Sequence, residues 1–137
     1  MDKSSKKDIY YTNHHEWIDF QGSRAYIGLC SFKLSGFRDI HQITFNPSFG
    51  FVQQGAVIAS IKYYDYVVEM RMPVDGKIIQ LNPLLLNGGK QLLLEQPEDN
   101  GWIALIVPEE QYDTTDLLTP DQYKEKNTIK YAGKQDV

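Results

Sequence analysis

The chain has 137 residues, 42% of them hydrophobic and 23% charged, the balance of one soluble domain with a modest core. A formal net charge of -4 gives no basic face for nucleic acid, and no apolar run reaches the ~20 residues a membrane helix needs. The single cysteine, Cys30, excludes an intrachain disulfide and fits a reducing compartment, so a cytoplasmic location is expected.

Strand signals then recur at short intervals. Residues 1–8 are basic with no apolar stretch behind them, so they read as a flexible start and not as a secretory signal. Residues 9–12 and 15–20 lead to a turn at Gln21-Gly22-Ser23, and residues 25–29 return as a strand, with Trp17 on the buried face. Residues 31–36 begin on a good cap residue and end on Gly36, which predicts one or two helical turns. A strand over 41–45 is closed by Asn46-Pro47-Ser48. After a long hairpin come a strand over 77–81, a loop around Asn87-Gly88-Gly89 and a final strand over 102–107. Residues 116–126 predict a helix, with Pro120 tolerated in its first turn. Residues 128–137 carry no pattern and read as a flexible tail, which leaves one domain over 9–127. Many short strands with turn residues between them predict a mainly β, closed or sandwiched architecture.

The hairpin, residues 55–76, is the most informative segment. Its returning arm alternates Tyr66, Val68, Met70 and Met72 with Val67, Glu69 and Arg71, the two-residue period of a half-buried strand. A turn at Tyr64-Asp65 pairs Tyr63 with Tyr66, Ile61 with Val68, Ala59 with Met70 and Val57 with Met72, so that one face is wholly apolar. The outer face then pairs Ser60 with Glu69 and sets Lys62 diagonal to Glu69, within reach of an exposed ion pair. Tyr-Asp lacks the Gly or Asn that tight hairpins favour.

Several motifs carry a resemblance to a known family. Tyr11-Thr12-Asn13-His14-His15-Glu16-Trp17 is similar to the Tyr-Thr-x-x-His-Glu-Trp opening of glycine cleavage system H proteins. Residues 28–55 resemble that family without a gap, with Asp39-Ile40 on its Gly-Asp-Ile and Gly55 on its Lys-Gly step. Gly55, Pro73, Val74 and Gly76 fall where the family has them, as do Asn82 and the Pro97 to Gly101-Trp102 segment. One residue is inserted between Asn82 and Pro97. Asp116-Leu117-Leu118 followed by Pro120-Asp121-Gln122-Tyr123 resembles the family's closing Leu-Leu-x-x-x-x-Tyr helix. The resemblance implies a lipoyl-domain-like barrel-sandwich hybrid with a short helix near 31–36 and a C-terminal helix near 116–126. It also implies a hairpin tip whose lysine carries lipoate in amide linkage. That lysine falls on Asp65, and the glutamate three residues before it falls on Lys62, so both charges are inverted.

The chemistry follows from that inversion. A carboxylate cannot attack an activated lipoyl ester, so Asp65 is expected to be unmodified and to act as a turn residue. Lys62 is the alternative acceptor, but it belongs to the strand and reaches the tip only if the register slips and exposes the apolar face. Arg71, between Met70 and Met72, has no acylatable amine, which excludes a biotin site. Tyr63, Tyr64 and Tyr66 form an aromatic cluster at the tip. It reads equally as cross-strand packing and, with Glu69, as an exposed contact surface. His14, His15, His41 and Cys30 show no metal-ligand spacing, and His15-Glu16 reads as packing and hydrogen bonding. No phosphate loop, nucleophile elbow or Cys/His catalytic arrangement is found. The expected function is therefore non-catalytic, without a cofactor of its own: an H-protein-like docking or regulatory module for glycine cleavage enzymes or a lipoyl-attaching enzyme. The alternative is a working carrier that shuttles the aminomethyl group of glycine on lipoyl-Lys62.

Overall fold

A computed structural model describes residues 8–46 and 50–135, with side chains through residue 127. Nine strands and three helices follow one another: β1 (Ile9–Tyr11), β2 (Glu16–Gln21), β3 (Arg24–Leu29), a 3-10 turn (Ser31–Leu34), β4 (Gln42–Phe45), β5 (Gly50–Val52), β6 (Val57–Tyr63), β7 (Tyr66–Arg71), β8 (Gly76–Leu81), α1 (Pro83–Leu86), α2 (Leu92–Glu95), β9 (Ala104–Pro108) and α3 (Pro120–Gln135). The strands form two antiparallel sheets, ordered β1-β2-β3-β9-β8-β5 and β4-β6-β7. The expected mainly β, sandwiched class is the observed one. No described helix is long and apolar enough to cross a membrane.

The core lies between the inner faces of the two sheets. Ile18 and Ile27 from the larger sheet and Ile61 and Met70 from the smaller are fully buried in one apolar cluster, the source of most of the folding free energy. Trp17 is fully buried as expected. Its indole N–H donates to the carbonyls of Leu29 at 3.1 Å and Pro97 at 3.0 Å. A Cβ on Gly28 would lie 2.7 Å from the Trp17 ring, so the cross-strand partner of this indole has to be glycine.

The secondary structure differs from the sequence expectations in several places. β5 is too short for alternation to reveal. The stretch after β8, where only a loop around Asn87-Gly88-Gly89 is expected, contains α1 and α2. Buried Asn82 caps α1 by accepting from the Leu84 N–H at 3.0 Å, and its amide donates to the carbonyls of Asn100 at 2.9 Å and Trp102 at 2.8 Å. The C-terminal helix starts at Pro120 and not at residue 116. Leu118 instead exchanges backbone hydrogen bonds with Tyr11 at 2.7 and 2.8 Å, which holds 116–119 out of the helix. Thr119 and Gln122 then form a reciprocal capping box, at 3.2 and 2.9 Å. Finally, the backbone of α3 continues to Gln135, over most of the stretch read as a tail. Of the residues read as a flexible start, 1–7 lie outside the described residues, whereas Asp8 is tied to β2 by hydrogen bonds to Asp19 and Phe20.

Candidate functional site

The β6–β7 hairpin carries the candidate site, and its two ends are fixed by different means. At the root, Gly55 sits at φ +90, a left-handed conformation open to glycine. Its N–H donates to the Met72 carbonyl, and the Met72 N–H donates to the Ala56 carbonyl, both at 2.8 Å. Met72 therefore aligns beside Ala56 and not, as expected, opposite Val57. A register shift between Val57 and Ala59 causes this. It turns the consecutive residues Ile58 and Ala59 both inward, which an unbroken strand cannot do.

Glu16 locks this root to the opening motif. Although 1% exposed, its carboxylate accepts the Thr12 hydroxyl at 2.9 Å and the Arg71 backbone N–H at 2.8 Å. The Thr12 hydroxyl in turn accepts the N–H groups of His14 and Glu16, both at 3.2 Å. Burial raises the pKa of Glu16 above the usual carboxylate range, against the opposing pull of the Arg71 and Thr12 hydrogen bonds. A cavity of about 350 Å³ opens beside it, lined by Thr12, His14, Glu16, Gln54, Arg71 and Asp116 among others.

At the tip, Tyr64 and Asp65 are the two turn residues between paired Tyr63 and Tyr66, as the alternation predicts. Asp65 is exposed. Tyr64 takes φ +52, a left-handed position that costs a non-glycine residue about 1–2 kcal/mol. His41 supports that conformation, because its Nδ1 accepts the Tyr64 N–H at 3.1 Å. That bond requires a bare Nδ1, so the ring proton of neutral His41 lies on Nε2. The His41 ring also meets the edges of Tyr63 and Tyr64 at 5.1 and 4.5 Å, and Phe37 reaches Tyr63 at 5.6 Å. The ring contacts fit the packing reading for Tyr63. Tyr63 is half-buried in ring contacts, whereas Tyr64 and Tyr66 are 64% and 67% exposed. The supporting role of His41 and Phe37 was missed from sequence. Neither lies near residue 64 in the chain; the segment leading into β4 brings them there, where the His41 N–H donates to the Lys62 carbonyl.

Lys62 lies within β6, opposite Gln42 on one side and Val67 on the other. Its carbonyl accepts the His41 N–H at 2.8 Å, and its side chain is exposed. The expected Lys62–Glu69 ion pair is replaced by Glu69–Arg71 at 3.0 Å. Glu69 and Arg71 share the outer face two residues apart, and the Gly55 carbonyl at 3.0 Å anchors the guanidinium beside Glu69. Among the described residues no three His, Cys, Asp or Glu side chains gather as a metal site. His15 is hydrogen-bonded through Nδ1 to the Tyr123 hydroxyl at 2.7 Å. Cys30 is buried, and desolvation pushes its thiol pKa well up.

The hairpin carries an exposed amine on Lys62, three residues before Asp65, and a carboxylate in the turn itself. Asp65 does not fit a lipoyl amide, whereas the Lys62 amine has the required chemistry but springs from within the strand.

The two-sheet arrangement is a lipoyl-domain-like fold of the H-protein type. It matches the crystal structure of a glycine cleavage system H protein from Mycobacterium marinum with a TM-score of 0.75 at 21% identity, covering 90% of this chain and 98% of that one. The family model described as Glycine cleavage H-protein matches residues 9–130. The glycine cleavage system H protein of Listeria innocua serovar 6a is 31% identical over 121 residues, 88% of this chain and 96% of the relative. That of Bacteroides fragilis is 27% identical over 118 residues, 86% and 93% of the two chains. The chain belongs to the glycine cleavage H-protein family.

Proposed function

We propose that this chain is an H-protein-like docking or regulatory module that carries no lipoate. It presents the H-protein surface to glycine cleavage enzymes or to a lipoyl-attaching enzyme. The carrying observation is the side chain at the apex. Lipoate attachment needs an amine that attacks an activated lipoyl ester and a long stem that swings the product between partners. Asp65, in the turn between β6 and β7, offers a non-nucleophilic carboxylate on a short stem. Exposed Tyr64 and Tyr66 suit a contact surface, since tyrosine is enriched in interface hot spots. The buried single thiol Cys30 suits the reducing cytoplasm in which this reading places the chain.

A second reading rests on one observation, the exposed amine of Lys62 three residues before Asp65. In it the protein is a working carrier loaded on Lys62. The intact mass of protein isolated from its own cells separates the two. The unmodified mass is expected, and a lipoyl adduct on Lys62 overturns the first reading. The double substitution Asp65→Lys with Lys62→Glu restores an amine at the apex and is expected to become a substrate for lipoate ligase. Absence of modification would mean that the apex is not where a ligase looks for its lysine.

A further inference from the structure

One side of β7 is paired with β6, and among the described residues no strand pairs with the other. The phase of that free edge is fixed by Arg71, whose N–H points away from β6 to the Glu16 carboxylate at 2.8 Å. Main-chain groups alternate sides along a strand, so Val67 and Glu69 also direct their N–H and C=O groups outward. Natural edges are blunted by short strands, prolines, bulges or charged side chains, lysine above all, and Glu69 is the single charge at an outward position with a free N–H here. Here the outward positions are Val67 and Glu69, with Val67 55% exposed and flanked by Tyr66 at 67%.

We propose that this edge pairs with β7 of a second copy of the chain, antiparallel, about a two-fold axis through Val68. A two-fold axis makes the interface self-complementary, and charge selects the register. With the axis at Val68, Asp65 lies opposite Arg71 of the second copy and Val67 lies opposite Glu69. On the other face Val68 meets its own copy, and Tyr66 reaches the level of Met70, which is already buried in the core. Both ends of the ladder then carry an opposite-charge pair. Moving the axis to residue 67 sets Asp65 against Glu69, and moving it to residue 69 sets Glu69 against itself. Like charges directly opposite are unfavourable. A half-step register opposes an outward residue with an inward one and loses the hydrogen bonds. Because Glu16 already occupies the Arg71 N–H, the shared ladder is confined to Val67 and Glu69 of each chain, and the association is of the small, reversible class. It does not depend on whether lipoate is attached.

Sedimentation velocity of the full chain across the micromolar to millimolar range tests the pairing. The weight-average mass is expected to climb from 15.8 kDa toward twice that value. Val67→Pro deletes an outward N–H without touching the β6 ladder and is expected to weaken self-association about tenfold or more. Asp65→Arg and Arg71→Asp, each alone, set like charges opposite and are expected to stay monomeric, whereas an equimolar mixture of the two regains the dimer. A wild-type chain that stays monomeric throughout, a dimer indifferent to Val67→Pro, or a mixture that fails to associate overturns the proposal. Intact mass, which decides the lipoate question, is a separate measurement, so the two readings fail separately.

Discussion

At the root of the β6–β7 hairpin, Glu16 is buried and gathers the hydroxyl of nearby Thr12 and the backbone N–H of distant Arg71. At the tip, Asp65 lies six residues before Arg71, and it and Tyr64 stand in solvent. The strained Tyr64 backbone there leans on a histidine from the loop just before β4. One pair of strands therefore holds a closed structural joint and an open surface. Stability is concentrated at the first and freedom to vary at the second.

The largest expected effect breaks the joint. Glu16→Ala leaves the Arg71 N–H and the Thr12 hydroxyl without their acceptor and should cost about 2–3 kcal/mol in urea unfolding. A loss no larger than that of a surface substitution would show that the joint is not structural. The charge on Glu16 gives the next effect. Its folded pKa is raised, so in the interval from the usual carboxylate range up to that raised value the folded state holds more proton than the unfolded one. Stability then falls as pH rises through that interval. Measured against Glu16→Gln, which carries no titrating proton, the wild type should lose relative stability on going from acid to neutral pH. An opposite slope would mean that hydrogen bonding outweighs burial at this carboxylate.

At the tip the effects shrink. Tyr64→Asn relieves left-handed strain worth about 1–2 kcal/mol and forfeits ring contacts worth about 0.5–1.5 kcal/mol, so its melting curve should nearly overlay that of the wild type. A large loss would make the tip as structural as the root. Smallest is Glu69→Gln, which removes the solvent-exposed ion pair with Arg71 and should change stability by less than about 1 kcal/mol, a difference that added salt erases.

These two ends were unequally legible. The arms declared themselves because Tyr66, Val68, Met70 and Met72 alternate with Val67, Glu69 and Arg71, and matching them to Ile61 and Ala59 put the turn on Tyr64-Asp65 despite its unfavourable turn chemistry. The supports did not declare themselves. His41, Phe37 and the Glu16–Arg71 bond join residues far apart in sequence, and a local pattern carries no record of such meetings. Two misreadings had visible signals that periodicity drowned. Asn82-Pro83 announces the cap and first residue of α1, and Thr119-Pro120-Asp121-Gln122 spells the capping box that starts α3 later than the leucine pair suggests. β5 is only three residues long and left nothing to read.

The irregularity between Val57 and Ala59 has a consequence for the apex. It makes the two arms of the hairpin unequal in length and acts as an indexing pin, since Ile58 and Ala59 can both face inward in one alignment only. The far end of the ladder thereby dictates which residue crowns it. Evolution can exchange the side chain at the crown, but it cannot hand that place to a neighbour such as Lys62 without first pulling the pin.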